Sequence, residues 1–332
     1  MRGLAWRWLS IVALASMLLP ATAAGGVDAN GEPIDARAWL ARIHSAAQQV
    51  NYQGTMVFSA SGTLSSSRVS HFCVGEQYYE RLEALDGRQQ RVYRMNDAVH
   101  TLWPQLKVAV IEKRTPISGL PSPMQAIEPR ALDQYALRKE GSERIAGRDA
   151  QVFVLQPRDE LRYAQRLWAD KATGLMLRAD LAGPQGVVLE SAAFSEVEIG
   201  IKPQLESVTQ EARRLDGYKI VRPQQQYTQL EAEGWAIERM VPGFRNAGCV
   251  KRPLETAAGA AQVLQAVFSD GLTHVSLFIE PYESRRQFAD LDGQIGATST
   301  LRQRRGEYWI TLMGDVPAPT LKAFADALER RR

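Results

Sequence analysis

The sequence predicts an α+β protein built on a large, curved antiparallel sheet, an open half-barrel that wraps around helices. Short β-prone runs separated by tight-turn pairs fill most of residues 52–201. One amphipathic helix precedes these runs, and a polar segment separates them from a second, shorter set of strands with a closing helix. These observations predict an N-terminal domain over residues 24–201, a linker over 202–227 and a smaller C-terminal α+β domain over 228–332.

The N-terminal domain is predicted to begin with one helix. Asp35 can cap it, and apolar residues then follow helical spacing from Trp39 through Ile43 to Val50. From Tyr52 onward the pattern changes to about eleven β-prone runs, with turn pairs such as Asp86-Gly87 between them. We therefore expect an antiparallel meander with the helix on its concave side.

A proline-rich segment interrupts these runs between Lys113 and Leu132. It contains Pro121, Met124 and Ile127, and its prolines exclude a strand inside a ladder. The segment is predicted to be an ordered loop or a short helix that lies over the sheet as a flap.

The C-terminal domain is predicted to mix strands with two helices. A first helix is expected over Ala257–Phe268. A final helix is expected to be capped by Thr320 and to carry one apolar face made by Leu321, Phe324, Ala325 and Leu328. Strands are predicted over Trp235–Met240, Gly248–Lys251, Thr273–Glu280 and Tyr308–Gly314.

The first 23 residues have the pattern of a secretory signal peptide. Two arginines precede an apolar run from Trp8 to Leu19, which is followed by Pro20 and small residues. A membrane-spanning helix needs about 20 apolar residues, so cleavage after about Ala23 is favoured over a membrane anchor. We expect an exported protein of the periplasm.

Charge and motifs exclude several function classes. The chain carries 40 Lys and Arg against 37 Asp and Glu, a formal net charge of +3, whereas nucleic-acid-binding domains are typically strongly basic. Its four histidines are scattered, and the sequence contains no His-Glu-x-x-His, Gly-x-Ser-x-Gly or Cys-x-x-Cys motif. The sequence therefore predicts no enzyme, no cofactor and no metal site.

The concave face of a curved sheet can be ordinary core or a cleft for an acyl chain. Alternate apolar residues along the strands are the candidates for such a lipid cavity: Trp103, Phe153, Trp168, Met176, Leu189 and Phe194.

The two cysteines, Cys73 and Cys249, fall in different predicted domains. An oxidising compartment permits a disulfide between them. Two free, buried cysteines are the alternative, since the sequence does not give the distance between them.

Several segments of the chain resemble the MucB/RseB family. They are Asn51–Thr55, Ser66–His71, Tyr79–Gly87, Arg138–Gly147, Arg162–Asp170, Thr173–Leu175, Phe268–Leu272 and Gly314–Pro317. The resemblance covers nearly the whole chain after the leader.

The resemblance implies a first domain similar to the lipoprotein carriers LolA and LolB, with a lipid-accommodating cavity, and a second domain that helps to dock a partner. The implied partner is the periplasmic part of an anti-sigma factor of the RseA or MucA type. By covering this partner, such a protein shields it from a site-1 protease of the DegS type and restrains an envelope-stress sigma factor. Lipid or lipopolysaccharide fragments are implied as the signal for release.

Two other functions remain open at the level of sequence. A LolA-type carrier would extract an acylated cargo and hand it on, without a clear need for the second domain. An enzyme acting on envelope glycans could stack sugars on Tyr78, Tyr79 and Trp103, although aromatic residues on strands are mainly packing elements. Self-association into a homo-oligomer is also left open.

Overall fold

The structure is a computed structural model that describes residues 35–113, 124–256, 259–282 and 289–331. The predicted signal peptide and Pro121 lie outside the described residues. Within them, the chain forms a 12-stranded sheet, a 7-stranded sheet, a 2-stranded sheet and three α-helices. This confirms the predicted α+β class with a large, open, curved sheet and a smaller second domain.

The large sheet follows the predicted meander. Helix α1 spans Ala36–Gln49, and the strands are β1 Tyr52–Ala60, β2 Thr63–Val74, β3 Gln77–Ala84, β4 Arg91–Met95, β5 Ala98–Trp103, β6 Val108–Lys113, β7 Tyr135–Ile145, β8 Arg148–Pro157, β9 Ala164–Asp170, β10 Met176–Ala182 and β11 Val188–Ile199. A twelfth strand, β12 Lys219–Val221, joins the edge of the sheet in parallel to β6.

The order of the strands describes an open sheet, because the strands at its two edges, β12 and β7, do not pair with each other. It runs β12-β6-β5-β4-β3-β2-β1-β11-β10-β9-β8-β7, so that β7 lies at one edge while β6 lies beside the opposite edge. The end of β6 and the start of β7 therefore lie towards opposite edges of the sheet. The described part of the connection between β6 and β7 contains a 3-10 helix over Pro129–Asp133.

Helix α1 fills the concave side. Asp35 caps it as predicted, with Oδ1 accepting a hydrogen bond from the Ala38 amide at 2.9 Å. Leu40 and Ile43 are fully buried in the core of the first domain. Met124 and Ile127 belong to the same core, so this part of the predicted flap packs against the apolar cluster that α1 covers.

The predicted linker contains regular structure that packs on the first domain. Helix α2 spans Leu205–Arg213 and buries Val208 and Ala212 in a small cluster with Phe72 and Tyr93 of the sheet. Strand β12 follows directly. Sequence reasoning missed the helix, since the polar composition of the segment hid its two buried apolar positions. For β12 it found only a weak strand pattern over Tyr218–Val221 and assigned this stretch to the linker.

The second domain is a sheet covered by α3, which spans Ala318–Ala327. Its strands are β13 Gln226–Tyr227, β14 Trp235–Ile237, β15 Arg245–Thr256, β16 Gly259–Ser269, β17 His274–Pro281, β18 Leu291–Ile295, β19 Thr298–Arg305, β20 Tyr308–Gly314 and β21 Leu328–Arg330. The 7-stranded sheet has the order β13-β15-β16-β17-β20-β19-β18, and β14 pairs with β21.

Two predictions in this domain are wrong. The helix expected over Ala257–Phe268 is strand β16, which pairs with both β15 and β17. Three of its buried residues, Leu264, Ala266 and Phe268, follow a period of two. Thr320 does not cap α3: the N-cap is Pro317, and the Thr320 hydroxyl instead donates to the Leu161 carbonyl at 2.6 Å.

Candidate functional site at the domain junction

Three of the six lipid-cavity candidates lie on the concave face of the large sheet. Phe153, Met176 and Phe194 all belong to the buried core cluster of the first domain. The Phe153 ring contacts the Trp39 ring of α1, with 4.8 Å between centroids. In this structure these side chains therefore pack against protein.

Trp168 is buried in the same core cluster, but its side chain lies on the opposite face of the sheet. Its neighbour Leu167 pairs with Phe153, and successive residues of a strand point to opposite sides. The indole is buried between the guanidinium groups of Arg166 and Arg178, whose central carbons lie 4.8 and 4.6 Å from the ring centroid. The indole Nε1–H donates to Glu143 at 2.9 Å.

The last two candidates lie outside the buried core of the first domain. Trp103 is half-buried at the end of β5. Leu189 is half-buried and packs with Tyr163, Leu181 and Ala297 where the two domains meet. The six residues thus do not line one common cavity in the structure.

Cys73 lies on β2 of the large sheet, and Cys249 lies on β15 of the second domain. Both are free thiols, so the structure does not contain the disulfide that the sequence left open.

The centre of the domain junction is a buried ion pair. Arg162 Nε of the first domain donates to Asp270 Oδ2 of the second domain at 2.7 Å, and both side chains are fully buried. Tyr135 donates its hydroxyl hydrogen to the same carboxylate oxygen at 3.2 Å. Arg162 also donates to Asp159 and to the Pro242 carbonyl, and its guanidinium stacks over Phe244.

The turn between β16 and β17 inserts into the first domain. Asp270 Oδ1 accepts the amide hydrogens of Leu272 and Thr273, each at 2.9 Å, which fixes the turn. Leu272 is buried in the core of the first domain. The Glu128 amide donates to the Gly271 carbonyl at 2.8 Å, so backbone hydrogen bonding also joins the two domains.

A second contact joins the turn between β18 and β19 to the first domain. The Gly296 amide donates to Ser61 Oγ at 2.6 Å, and the Ala297 amide donates to Glu190 Oε1 at 3.0 Å. Glu190 is only 5% exposed. Burial, together with the charge of nearby Asp315, raises the pKa of the Glu190 carboxyl.

A shallow cleft of about 240 Å³ opens beside this second contact. Its lining residues come from both domains: Ser59, Ser61, Gly62, Val188, Leu189, Glu190, Ser191 and Gly296. Val187 and Val188 are 59% and 51% exposed, and Ile295, the neighbour of Gly296, is 74% exposed. These three exposed apolar side chains therefore lie beside a cleft that residues of both domains line.

In the described part of the chain, no group of three or more His, Cys, Asp or Glu side chains is placed so that it could hold a metal ion. Within the same residues, no helix is long and apolar enough to cross a membrane.

Sequence reasoning did not identify the junction. Two segments that carried the family resemblance, Arg162–Asp170 and Phe268–Leu272, contain its central ion pair. The signal was present as Asp270-Gly271 between two apolar runs, but such a pair normally marks an exposed turn. Only the three-dimensional structure shows that this turn is buried against Arg162.

Both domains match known family models. Residues 35–213 match the MucB/RseB N-terminal domain, and residues 229–329 match the MucB/RseB C-terminal domain. The sigma factor AlgU regulatory protein MucB of Pseudomonas aeruginosa is 29% identical over 93% of this chain and 92% of its own length. The sigma-E factor regulatory protein RseB of Haemophilus influenzae is 24% identical over 91% and 94%.

Solved structures agree in fold. A crystal structure of MucB in complex with MucA(peri) has a TM-score of 0.66 at 26% identity and covers 90% of this chain and 100% of that one. A crystal structure of MucB has a TM-score of 0.63 at 27% identity, with coverage of 90% and 98%.

The fold and the order of the matched regions define a class of two-domain proteins in which an open sheet domain is followed by a docked α+β domain. Within that class, the chain belongs to the MucB/RseB family.

Proposed function

We propose that this protein is a periplasmic regulatory binding protein that binds the periplasmic part of an anti-sigma factor of the MucA or RseA type. By covering this segment it slows site-1 proteolysis and restrains an envelope-stress sigma factor. The observation that carries the proposal is the likeness, over both domains, to MucB in complex with MucA(peri). The protein acts by binding, without catalysis.

The geometry of the junction supports a binding surface made by both domains. The two interdomain contacts at Asp270 and Glu190 hold the domains together and leave a cleft with an exposed apolar rim at Val187, Val188 and Ile295. A partner segment that packs on this rim would bury apolar surface from both domains. We propose this cleft as part of the site for the anti-sigma factor.

The partner surface is tested by calorimetry on the full chain without its leader, titrated with the periplasmic segment of the cognate anti-sigma factor. Val188→Asp and Ile295→Asp each place a charge on the rim and should weaken binding about tenfold or more. Leu106→Asp changes an exposed leucine in the turn between β5 and β6, away from the cleft, and serves as the control. Unchanged affinity in both rim variants would remove the cleft from the proposed site.

Shielding is tested separately by cleavage of the same segment with a DegS-type protease. Addition of this protein should slow cleavage in proportion to the fraction of segment bound. If the saturated complex is cleaved as fast as the free segment, the regulatory role is wrong even though the partner is right.

Release by lipid or lipopolysaccharide fragments is the final part of the proposal. In the described structure the concave face is covered by α1 and by the segment that carries Met124 and Ile127. An acyl chain would therefore have to displace some of these side chains. Native mass spectrometry with lipid A tests this step: absence of a bound acyl ligand would contradict both lipid-triggered release and the carrier alternative.

A further inference from the structure

Three side chains on β2 and β3 form a hydrogen-bonded row beside the end of α1. His71 and Cys73 are two residues apart on β2 and therefore point to the same face. Glu80 is the cross-strand partner of His71 on β3. His71 Nε2 lies 3.1 Å from Cys73 Sγ, and His71 Nδ1 lies 3.1 Å from Glu80 Oε1.

The surroundings fix the imidazole in this row. Tyr52 stacks on His71, with 5.3 Å between ring centroids and 12° between planes. His71 is only 3% exposed, whereas Cys73 is half-buried and can be reached from solvent. The Cys73 amide donates to Asn51 Oδ1 at 2.7 Å, which holds the backbone of the cysteine in place.

The contacts of His71 favour its charged form. Burial lowers the pKa of the imidazole, but hydrogen bonds to Cys73 and Glu80 and the charge of Glu80 outweigh burial and raise it to about 9. A charged imidazole that is held by a carboxylate and lies beside a cysteine sulfur stabilises the thiolate form of that cysteine.

We propose that Cys73 is a modification site, a thiol activated by His71 and Glu80 that reacts with small-molecule disulfides. Cys249 provides the contrast inside the same chain. It is buried and has no His contact among the described hydrogen bonds, and burial raises its pKa to about 11. Cys249 is expected to stay unreactive in the folded protein.

The reaction is a thiol–disulfide exchange with a reagent such as glutathione disulfide. The Cys73 thiol gives up its proton to water, and the charged His71, whose Nε2–H lies beside Sγ, stabilises the thiolate that attacks one sulfur of the reagent. A new S–S bond forms at Cys73 while the S–S bond of the reagent breaks, and the departing sulfur leaves as a thiolate that takes up the proton. Cys73 is oxidised, and one half of the reagent is reduced to a thiol.

Modification at this position acts on α1. Cys73 Sγ donates a hydrogen bond to the Gln48 carbonyl in the last turn of the helix. A mixed disulfide removes this hydrogen bond and places a bulky group against that turn. Because Leu40 and Ile43 of the same helix are buried in the core, modification links the oxidation state of Cys73 to the packing of the concave side.

The first test uses the folded protein without its leader, exposed to glutathione disulfide and analysed by peptide mass spectrometry. The modification is expected on Cys73 and not on Cys249. If Cys73 stays unmodified while the denatured chain reacts at both positions, the proposal is overturned. This comparison requires no variant and is independent of the anti-sigma factor.

The second test asks whether His71 and Glu80 increase the reactivity of Cys73. At about pH 6.5, Cys73 of the His71→Gln variant should react with glutathione disulfide about tenfold more slowly than Cys73 of the wild type. The rate for Glu80→Gln should lie between these two rates. His100→Gln is the matched control, because His100 lies on β5 and bonds to the Ala212 carbonyl. Equal rates of modification in the wild type and in His71→Gln would show that His71 does not activate Cys73 and would contradict the proposal.

An NMR titration separates activation from a purely structural role. The pKa of His71, about 9 in the folded protein, should fall in Cys73→Ser because a hydroxyl does not take the negative charge of a thiolate. An unchanged His71 titration in this variant would show that His71 does not interact with a thiolate at Cys73 and would contradict the proposal.

Discussion

The carboxylate of Asp270 uses both of its oxygens at the domain junction. One oxygen meets the Arg162 guanidinium and the Tyr135 hydroxyl, and the other fixes its own turn through two backbone amides. Burial and the nearby charge of Asp270 raise the pKa of Tyr135 well above its ordinary value. Removing only one partner of a buried ion pair lowers stability more than replacing both, because the other charge remains buried.

Asp270→Asn should therefore destabilise the junction, but by less than the cost of about 3–5 kcal/mol for a buried charge left without any partner, because Asp159 still pairs with Arg162. The change leaves the Arg162 side chain buried opposite a neutral amide. Denaturant unfolding followed at Trp39 and Trp235 in single-tryptophan variants measures the two domains separately, and we expect their transitions to move apart. Asp292→Asn on exposed strand β18 is the control. Coincident, unshifted transitions in Asp270→Asn would contradict a junction held by this pair.

Glu190 makes the second contact sensitive to pH. Its pKa is raised, so the folded state favours the protonated carboxyl. The resulting contribution to stability is fully present below the pKa of an unfolded glutamate, about 4.3, and is lost as pH rises through the raised value.

Glu190→Gln removes the titration and keeps an oxygen that can accept the Ala297 amide hydrogen. We expect the variant to be more stable than the wild type near pH 7 and equal to it near about pH 4. Urea unfolding at the two pH values measures this difference. Glu76→Gln, in the exposed turn between β2 and β3, should show no such pH dependence, and a wild type that gains stability towards neutral pH relative to Glu190→Gln would refute the assignment.

At the scale of elements, α3 shows how the second domain covers its sheet. Phe324 is fully buried and meets Phe244 edge-on, with centroids 5.2 Å apart, and Phe268 of β16 at 5.0 Å. The predicted apolar face of this helix, which includes Leu321 and Ala325, is confirmed by their burial. The beginning of the helix was predicted wrongly because Thr320, a common capping residue, binds a carbonyl of the other domain.

Phe324→Ala should cost about 3–5 kcal/mol of stability, since it removes a large buried ring between two others. Lys322→Ala changes an exposed position of the same helix and should have little effect. Thermal unfolding of both variants, monitored at Trp309 of β20, provides the measurement. Equal stabilities would show that α3 is not packed on the sheet as described.

The error at β16 has a physical cause. Its residues include alanine, glutamine and leucine, which favour helices in isolation. Pairing with β15 on one side and β17 on the other overrides this weak preference. Hydrogen bonding to partners distant in sequence is not encoded in local propensity.

At the scale of the whole molecule, close approach of the two domains depends on Gly243. Its φ is +80°, and a Cβ there would lie 2.5 Å from Gln134 Cγ and 2.6 Å from Arg162 Nη2. Arg162 is held in place by its hydrogen bonds to Asp270 and the Pro242 carbonyl. The guanidinium therefore cannot move aside without breaking the junction.

Gly243→Ala should open the junction, while Gly217→Ala should not. Gly217 has a similar φ of +74°, but no atom lies within 4 Å of the place that an alanine methyl group would take, so this variant reports only the backbone cost of about 1–2 kcal/mol. Small-angle X-ray scattering should show a larger radius of gyration for Gly243→Ala alone. Identical scattering from the two variants would contradict the role of close approach.

The sequence by itself determined the helix capped by Asp35, the meander of strands over residues 52–201 and the apolar face of α3. These features follow from side-chain periodicity and turn residues, which act between near neighbours in the chain. The tertiary structure decided that β16 is a strand, that α2 and β12 pack on the first domain, and that Trp168 and Phe153 lie on opposite faces. It also decided that Asp270 and Glu190 join the domains, because burial and pairing between residues far apart in sequence depend on the assembled fold.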